Sequence, residues 1–419
     1  MKTNRIILSV LVLLFILPAV SVSGQTAGDY YTIRGTVRDA KDNKPLPHAS
    51  VFVSGTYIGT VANSNGYFSL RVRKSENLET FRISYLGYAP RELSFEDYAG
   101  KESDFLMRVH SLPLQEVIIR PINARELVLN ALDKVEENYP QEEYMLTGFY
   151  RESIKQRNDY ISIAEAVVDI RKESYRTYSR NDQVQLIKGR KSADVKKADT
   201  LLVKLQGGPQ VALLVDFIKN TDMVISSETI DWYDYELVDL AVIDGKTHYV
   251  IGFTPRVILP FPLFMGNIYI ENESLAITMA DFSRDLSDKK KASKQFIQKK
   301  PPRLRFTPTY TRYQVRFQEI DGKYYLSYVR GDVEFFADWR RKLFRTRYAL
   351  MFEMAIMDRD NKELRSFARK ETFRNRSILA DLVSEYFTDD FWGGYNIIEP
   401  EIDIEEAVKK LNQKISESE

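Results

Sequence analysis

The chain has 419 residues, enough for two or three domains, with 44% hydrophobic and 28% charged residues. Its formal charge is +1, so the total shows none of the basic excess that nucleic-acid binding calls for. There is no cysteine, which excludes disulfides and a lipidated cysteine, and aromatics at 12%, mostly Tyr and Phe, favour β structure.

The first 25 residues, MKTNRIILSVLVLLFILPAVSVSGQ, place Lys2 and Arg5 before an apolar run from Ile6 to Val20 and a stretch of small residues. This pattern predicts a secretory signal peptide over residues 1–24, cut after Gly24, with Ser23 as the alternative. The run is too short, and too soon followed by small polar residues, to suit a membrane anchor. An exported chain without cysteine fits a bacterial envelope. The expectation is a protein of the periplasm or outer membrane that is not lipidated.

From Tyr31 to Asp39 apolar and polar residues alternate, as in a half-buried strand. KDNKPLP follows as turn chemistry, and Ala49, Val51 and Val53 alternate again, as do Phe81, Ile83 and Tyr85. Several short strands with turns at regular spacing predict a β-sandwich. Within GTYIGTVANSNGYFSL, residues 55–70, the glycines lead into strands rather than into a helix N-terminus, so this is no phosphate-cradling loop. Asn65-Gly66 reads as a type I′ hairpin turn.

These pieces carry a resemblance. Gly35-x-Val37-x-Asp39, Pro45-Leu46, Ala49-x-Val51, Gly55-x-x-x-Gly59-Thr60, Asn65-Gly66-Tyr67-Phe68 and Ser84-Tyr85-Leu86-Gly87-Tyr88 together resemble the carboxypeptidase regulatory-like domain. That family is a transthyretin-like β-sandwich widespread in envelope proteins of Bacteroidetes. LPLQEVIIR, residues 112–120, is similar to the way such domains end, which sets the domain at residues 29–120. Asn63-Ser64 stands where the family usually has an acidic residue before the Asn-Gly. The resemblance implies an accessory domain and brings no peptidase.

Residues 121–140 predict a linker helix, with Asn123 as N-cap and Glu126 three residues later. Residues 141–385 are β-rich: MLTGFYRESI, DYISIAEAVVDI, YDYELVDLAVI, KTHYVIGFTP and later segments are long strands, with Asp244-Gly245 and Asp321-Gly322 as hairpin turns. One helix, GPQVALLVDFIKN, has Pro209 in its first turn. Long antiparallel strands cupping a helix resemble the half-barrel of outer-membrane lipoprotein carriers and related lipid-sensing proteins, and GNIYIENESLAI is similar to a central hairpin of those folds. In full-length order the chain also resembles a group of uncharacterised Bacteroidetes proteins in which GFYRE and FWGGYN recur. The expected fold is mainly β: an N-terminal β-sandwich, then an antiparallel half-barrel cupping a helix (α+β). Residues 386–419 add an aromatic segment and a helix with Ile404, Ala407, Val408, Leu411 and Ile415 on one stripe. An outer-membrane barrel is discounted, because the strands carry charged faces and the chain ends KISESE after a helix.

The three histidines, His48, His110 and His248, lack metal-ligand spacing, so neither a metal nor another cofactor is expected and each reads as an ordinary strand or surface residue. No G-x-S-x-G and no phosphate-binding loop motif is present. Glu152 and Glu165, expected on adjacent strands, are the one carboxylate pair that invites a hydrolase reading, against the plainer one of charges paired across strands near Arg151. Phe391, Trp392 and Tyr395 around Gly393-Gly394 suit either a ligand or partner contact or packing of the tail. The basic run 289–305 suits an anionic membrane surface or a solvated loop, as does 340–347. Asp199-Thr200-Leu201 resembles a short O-glycosylation signal. The reading is a non-enzymatic envelope protein that binds a hydrophobic ligand or a protein partner; the alternative is a carboxylate-dependent hydrolase of envelope glycans.

Overall fold

The structure is a computed structural model and describes residues 30–76, 78–110, 123–176, 181–193, 208–221, 224–296, 304–339, 345–359, 364–374, 377–383 and 391–416. The signal-peptide segment, LPLQEVIIR, Asp199-Thr200-Leu201 and part of both basic runs lie outside these residues.

The first unit is a sandwich of two small sheets. One has the order β4-β1-β7, from Tyr67–Arg73, Tyr30–Asp39 and Glu102–Met107. The other has the order β3-β2-β5-β6, from Gly59–Val61, Ser50–Val53, Thr80–Ser84 and Arg91–Ser94. The alternating residues Ile33, Val37, Val51, Phe68, Leu70, Phe81, Ile83 and Phe105 meet in its core. Asn65-Gly66 corrects one expectation. Only Gly66 is left-handed, at φ +74°, and the turn joins β3 to β4, which belong to different sheets. It is a crossover rather than a I′ hairpin. Gly66 is demanded twice, because a Cβ there would also lie 2.6 Å from the Val37 carbonyl oxygen.

The second unit is one ten-stranded antiparallel sheet. Its strands are β8 (Tyr144–Gln156), β9 (Asp159–Lys172), β10 (Gln183–Ala193), β11 (Tyr233–Ile243), β12 (Lys246–Pro255), β13 (Phe264–Glu271), β14 (Ile277–Arg284), β15 (Leu304–Ile320), β16 (Lys323–Trp339) and β17 (Thr346–Asp358). The spatial order is β10-β9-β8-β17-β16-β15-β14-β13-β12-β11, so the sheet is open and not closed into a barrel. Asp244-Gly245 and Asp321-Gly322 are left-handed at both positions (φ 52° and 83°, 52° and 75°), as I′ hairpins require.

The edge strands β10 and β11 are consecutive in sequence, so the chain between them runs from one edge of the sheet to the other. It crosses the face built by Tyr144, Leu146, Tyr150, Ala164, Val168, Phe352 and Met354, laying Ala212, Leu213, Phe217 and Ile218 against it. The expected cupped helix is present as Gly208–Leu214, but it ends there, and the VDFIKN expected to continue it runs on as turns. The linker helix Ala124–Asp133, capped by the Asn123 side chain accepting from the Glu126 amide at 3.2 Å, joins the same core through Val128 and Ala131. Lys172 binds the crossing segment down through Asp216, its Nζ lying 2.8 Å from Asp216 Oδ2 and 2.7 Å from Oδ2 of Asp182, just ahead of β10, and Tyr175 donates to Asp216 at 2.8 Å. The opposite face of the sheet receives the sandwich and the tail. Val61 of β3 packs there with Phe149, Val167, Tyr328, Trp392 and Ile398, and the tail helix Ile402–Ser416 packs Ile404, Val408 and Leu411 on Ile163.

Candidate functional site

Strand pleating sends neighbouring residues to opposite faces, and the register decides which charges meet. On the sandwich face of five successive strands the directly opposed residues are Arg190, Glu165, Arg151, Glu353 and Arg330. The signs alternate along the whole row. Arg151 Nε donates to Glu165 Oε1 at 2.8 Å and its Nη1 to Glu353 Oε1 at 3.2 Å; Arg190 Nε donates to Glu165 Oε2 at 2.8 Å. Tyr328 donates to Glu353 Oε2 at 3.0 Å, and Arg330 approaches the same oxygen at 3.5 Å. Arg151, Glu165 and Glu353 are each at most 2% exposed. Burial alone would raise the Glu165 carboxyl, but Arg151 and Arg190 outweigh it and hold Glu165 below its ordinary range.

The tail closes this row. Arg151 Nη2 donates to the Ile398 carbonyl at 2.7 Å, and Trp392 packs edge-on against Phe149 at 5.4 Å, with the Arg190 guanidinium 4.8 Å from its ring centre. Phe391 lies under Lys188 and Arg190, while Tyr395 is 40% exposed. The sandwich closes it from above: Thr60 donates to the Ile397 carbonyl at 2.8 Å and Asn63 to that of Pro400 at 3.3 Å.

Glu152 and Glu165 do sit on adjacent strands, but they do not form a pair. Glu165 opposes Arg151, while Glu152 opposes Ala164, so the two carboxylates point to opposite faces. The charge partner of Arg151 is therefore Glu165 and not its neighbour in sequence. Glu152 is buried on the helix face, where Tyr150 donates to its Oε2 at 2.9 Å. Burial pushes its carboxyl up to about 8, the nearby Asp381 adding to the rise, so it is a neutral acid at pH 7. A glycosidase pair needs both carboxyls around one sugar ring, which this register forbids.

Two open spaces lie beside the charged row. The larger is a cleft of about 900 Å³ between sandwich, sheet and tail. Its lining includes Tyr30, Tyr57 and Tyr395 with Arg71, Arg73, Arg359 and Arg365, against the acids Glu76, Asp169 and Asp358. Arg73 Nε donates to the Tyr30 hydroxyl at 3.2 Å, Arg365 to Asp169 at 3.1 Å, and Arg359 lies 4.7 Å from the Tyr57 ring centre. The smaller is a cavity of about 80 Å³ between the sandwich strands β2 and β5 and the sheet strands β11, β12, β14, β15 and β16.

Two histidines are placed by this seam. His48 is half-buried and stacks on Tyr328, with ring centres 5.9 Å apart, and desolvation together with Arg330, Arg316 and Arg312 holds its pKa well below the ordinary value. His248 is 1% exposed and lines the smaller cavity. Among the described residues no group of three or more His, Asp or Glu could hold a metal ion. In the basic run, helix Lys289–Phe296 presents Lys289, Lys290 and Lys294 to solvent. No helix among the described residues is long and apolar enough to cross a membrane. Sequence reasoning missed Arg190, Glu353 and Arg330. All of β10 lay outside the expected strands, and the only signal for the row is sign alternation across strands, invisible without the register.

Residues 33–119 match the family model of the CarboxypepD_reg-like domain. No curated protein sequence matches the chain. Among solved structures, a DUF1329 family protein from Desulfovibrio piger aligns over 57% of this chain and 93% of its own, at 12% identity and a TM-score of 0.25. A structure titled for lipid–protein interactions in lipovitellin aligns over 60% of this chain and 28% of its own, at 9% identity and a TM-score of 0.24.

Proposed function

We propose that this is a non-enzymatic, exported binding protein of a bacterial envelope, resident in the periplasm or at the outer membrane, whose ligand sits in the cleft between sandwich, sheet and tail. The observation that carries the reading is the cleft itself: about 900 Å³ of space walled by three separate parts of the chain, the tail being bonded to the sheet through Arg151 and Ile398 and to the sandwich through Thr60 and Asn63. Four arginines against three acids, with three tyrosines, make a lining suited to an extended ligand bearing anionic groups and apolar faces. The non-enzymatic part of the reading is supported by Glu152 and Glu165, which face opposite ways and are each engaged by other side chains.

A second reading, a hydrophobic ligand against the sheet, draws on the large apolar helix face. It requires residues 208–221 and 224–232 to move aside, because their apolar side chains cover the face.

Native mass spectrometry of the protein isolated from its own envelope tests the proposal. The expected result is a copurifying ligand that is lost in Arg73→Glu and in Tyr395→Ala, both exposed lining residues, with unchanged melting temperature. A ligand retained by both variants places the site elsewhere and overturns the reading.

A further inference from the structure

The smaller cavity shares no lining residue with the cleft. Its walls hold three polar atoms without a hydrogen-bond partner: His248 Nε2, Thr278 Oγ1 and Arg316 Nε. Buried polar groups are nearly always paired, so three orphans around one space point to a missing occupant. His248 is 1% exposed and Thr278 is 4% exposed. The volume of about 80 Å³ admits more than one water, since each needs on the order of 10 Å³ by this measure.

The chemistry of the orphans restricts the occupant. His248 Nδ1 lies 2.9 Å from the Lys246 carbonyl oxygen, which can only accept, so Nδ1 carries the proton. Burial keeps the ring neutral, leaving Nε2 as a bare acceptor. Arg316 Nε–H is a donor, and the Thr278 hydroxyl donates or accepts as its partner requires. Arg316 Nη1 donates to the His48 carbonyl and Nη2 to Gln314 Oε1 at 2.8 Å, and no carboxylate forms a salt bridge with it among the described residues. The acids on the cavity wall are already engaged: Asp244 by Arg82 at 3.2 Å, and Glu319 by Lys246. The half-buried Arg316 guanidinium lies 5.2 Å from the Tyr328 ring centre and keeps a buried Nε–H without a partner, so its charge has no anion opposite it. The ligand must therefore offer anionic oxygens to Arg316 and Thr278 and an O–H to His248.

We infer that this cavity is a binding site for inorganic phosphate, held by Arg316 Nε–H and the Thr278 hydroxyl and donating its own O–H to His248 Nε2. Monohydrogen phosphate carries both functions near neutral pH. Sulfate has no proton to donate, and a phosphomonoester dianion has lost its own. The site lies at the seam, with Ser50, Phe52 and Ser84 from the sandwich and the rest from the sheet. Binding there ties the two units together from a second position.

Isothermal titration calorimetry on the full chain at pH 7.5, with phosphate, sulfate and glycerol phosphate as probes, tests the inference. Phosphate is expected to bind, with sulfate and glycerol phosphate at least tenfold weaker. Thr278→Val, which keeps the shape and removes the hydroxyl, should weaken phosphate about tenfold, the worth of one such hydrogen bond. Arg316→Lys, which keeps the charge and removes the Nε–H, should weaken it by at least as much and is read alone if Thr278→Val does not fold. No phosphate binding means that ordered waters fill the cavity, and the inference fails. Sulfate binding as tight as phosphate removes the role given to His248, and phosphate binding unchanged in both variants places the ion elsewhere; either result overturns the site.

Discussion

Two neighbouring regions of one sheet face handle buried polarity in opposite ways. Across β10 to β16 the row Arg190, Glu165, Arg151, Glu353, Arg330 is complete: each charge is opposed by its opposite, Trp392 closes the Arg190 end, Asp332 holds Arg330 at the other, and the Ile398 carbonyl and the Tyr328 hydroxyl serve Arg151 and Glu353 between them. Toward β11, beneath Ser50 and Ser84, the same kind of surface leaves His248, Thr278 and Arg316 each with an unanswered atom. A completed network fixes the packing of two units and offers nothing to a ligand. An incomplete one costs stability until something fills it, which makes it the better place to seek binding.

The largest effect should come from breaking the complete row. Arg151→Met removes the central cation and leaves Glu165 and Glu353 buried without their shared partner. Loss of one member of a buried ion pair costs about 3–5 kcal/mol, read as a lower midpoint in urea unfolding. If the midpoint holds, the row does not fix the seam.

Gly66→Val comes next, because it strikes the unit that covers the row. A β-branched residue at φ +74°, with its Cβ 2.6 Å from the Val37 carbonyl oxygen, should cost about 1–3 kcal/mol from backbone strain alone. Unchanged thermal stability removes the crossover-turn assignment.

Glu152 gives a smaller and pH-dependent effect on the other face. Folded, it keeps its proton up to about pH 8; its ordinary value is 4.5. Between those values the folded state binds more protons than the unfolded, so stability falls as pH rises through the window. Glu152→Gln mimics the neutral acid. It should stabilise the chain by about 1–3 kcal/mol at pH 8 and flatten the decline between pH 5 and 8, whose slope for one proton is about 1.4 kcal/mol for each step of one in pH. A lower stability in the variant at pH 8 shows an ionised Glu152. Glu165 runs the other way: its carboxyl is held low in the folded state, so its contribution is present above the unfolded value and is lost as pH falls through the folded one.

The smallest effect should be Thr278→Val without ligand. Replacing an unpartnered hydroxyl with a methyl should leave the urea midpoint within about 0.5 kcal/mol of the parent, or raise it. A large loss would show that the hydroxyl is already bonded, and that the two regions do not differ as described.

Much of the fold was legible because it is written in short-range chemistry. Asn123 capping its helix and the two Asp-Gly hairpins rest on dihedral preferences of two to four residues. The alternation of Ile33, Val37, Phe81 and Ile83 marks a strand face without reference to any partner. Asn65-Gly66 shows the limit: the turn residue was legible, but whether the next strand returns to the same sheet was not. The candidate sites were hidden more deeply. Glu152 and Glu165 could be placed on adjacent strands from sequence, but a shift of one residue in pairing decides whether they share a face. His248 stands alone in sequence and meets Thr278 and Arg316 only across β12, β14 and β15.

By itself the sequence determined the local elements: where strands run, where they turn and which of their faces is apolar, because each depends on neighbours within a few residues. Only the tertiary structure decided which charges meet. Arg151 finds Glu353 across 202 residues and the Ile398 carbonyl across 247, and such contacts are set by the order and register of ten strands packed at once. The physical reason is range: backbone propensity acts along the chain, whereas a buried charge is satisfied only through space, by whatever the rest of the fold brings against it.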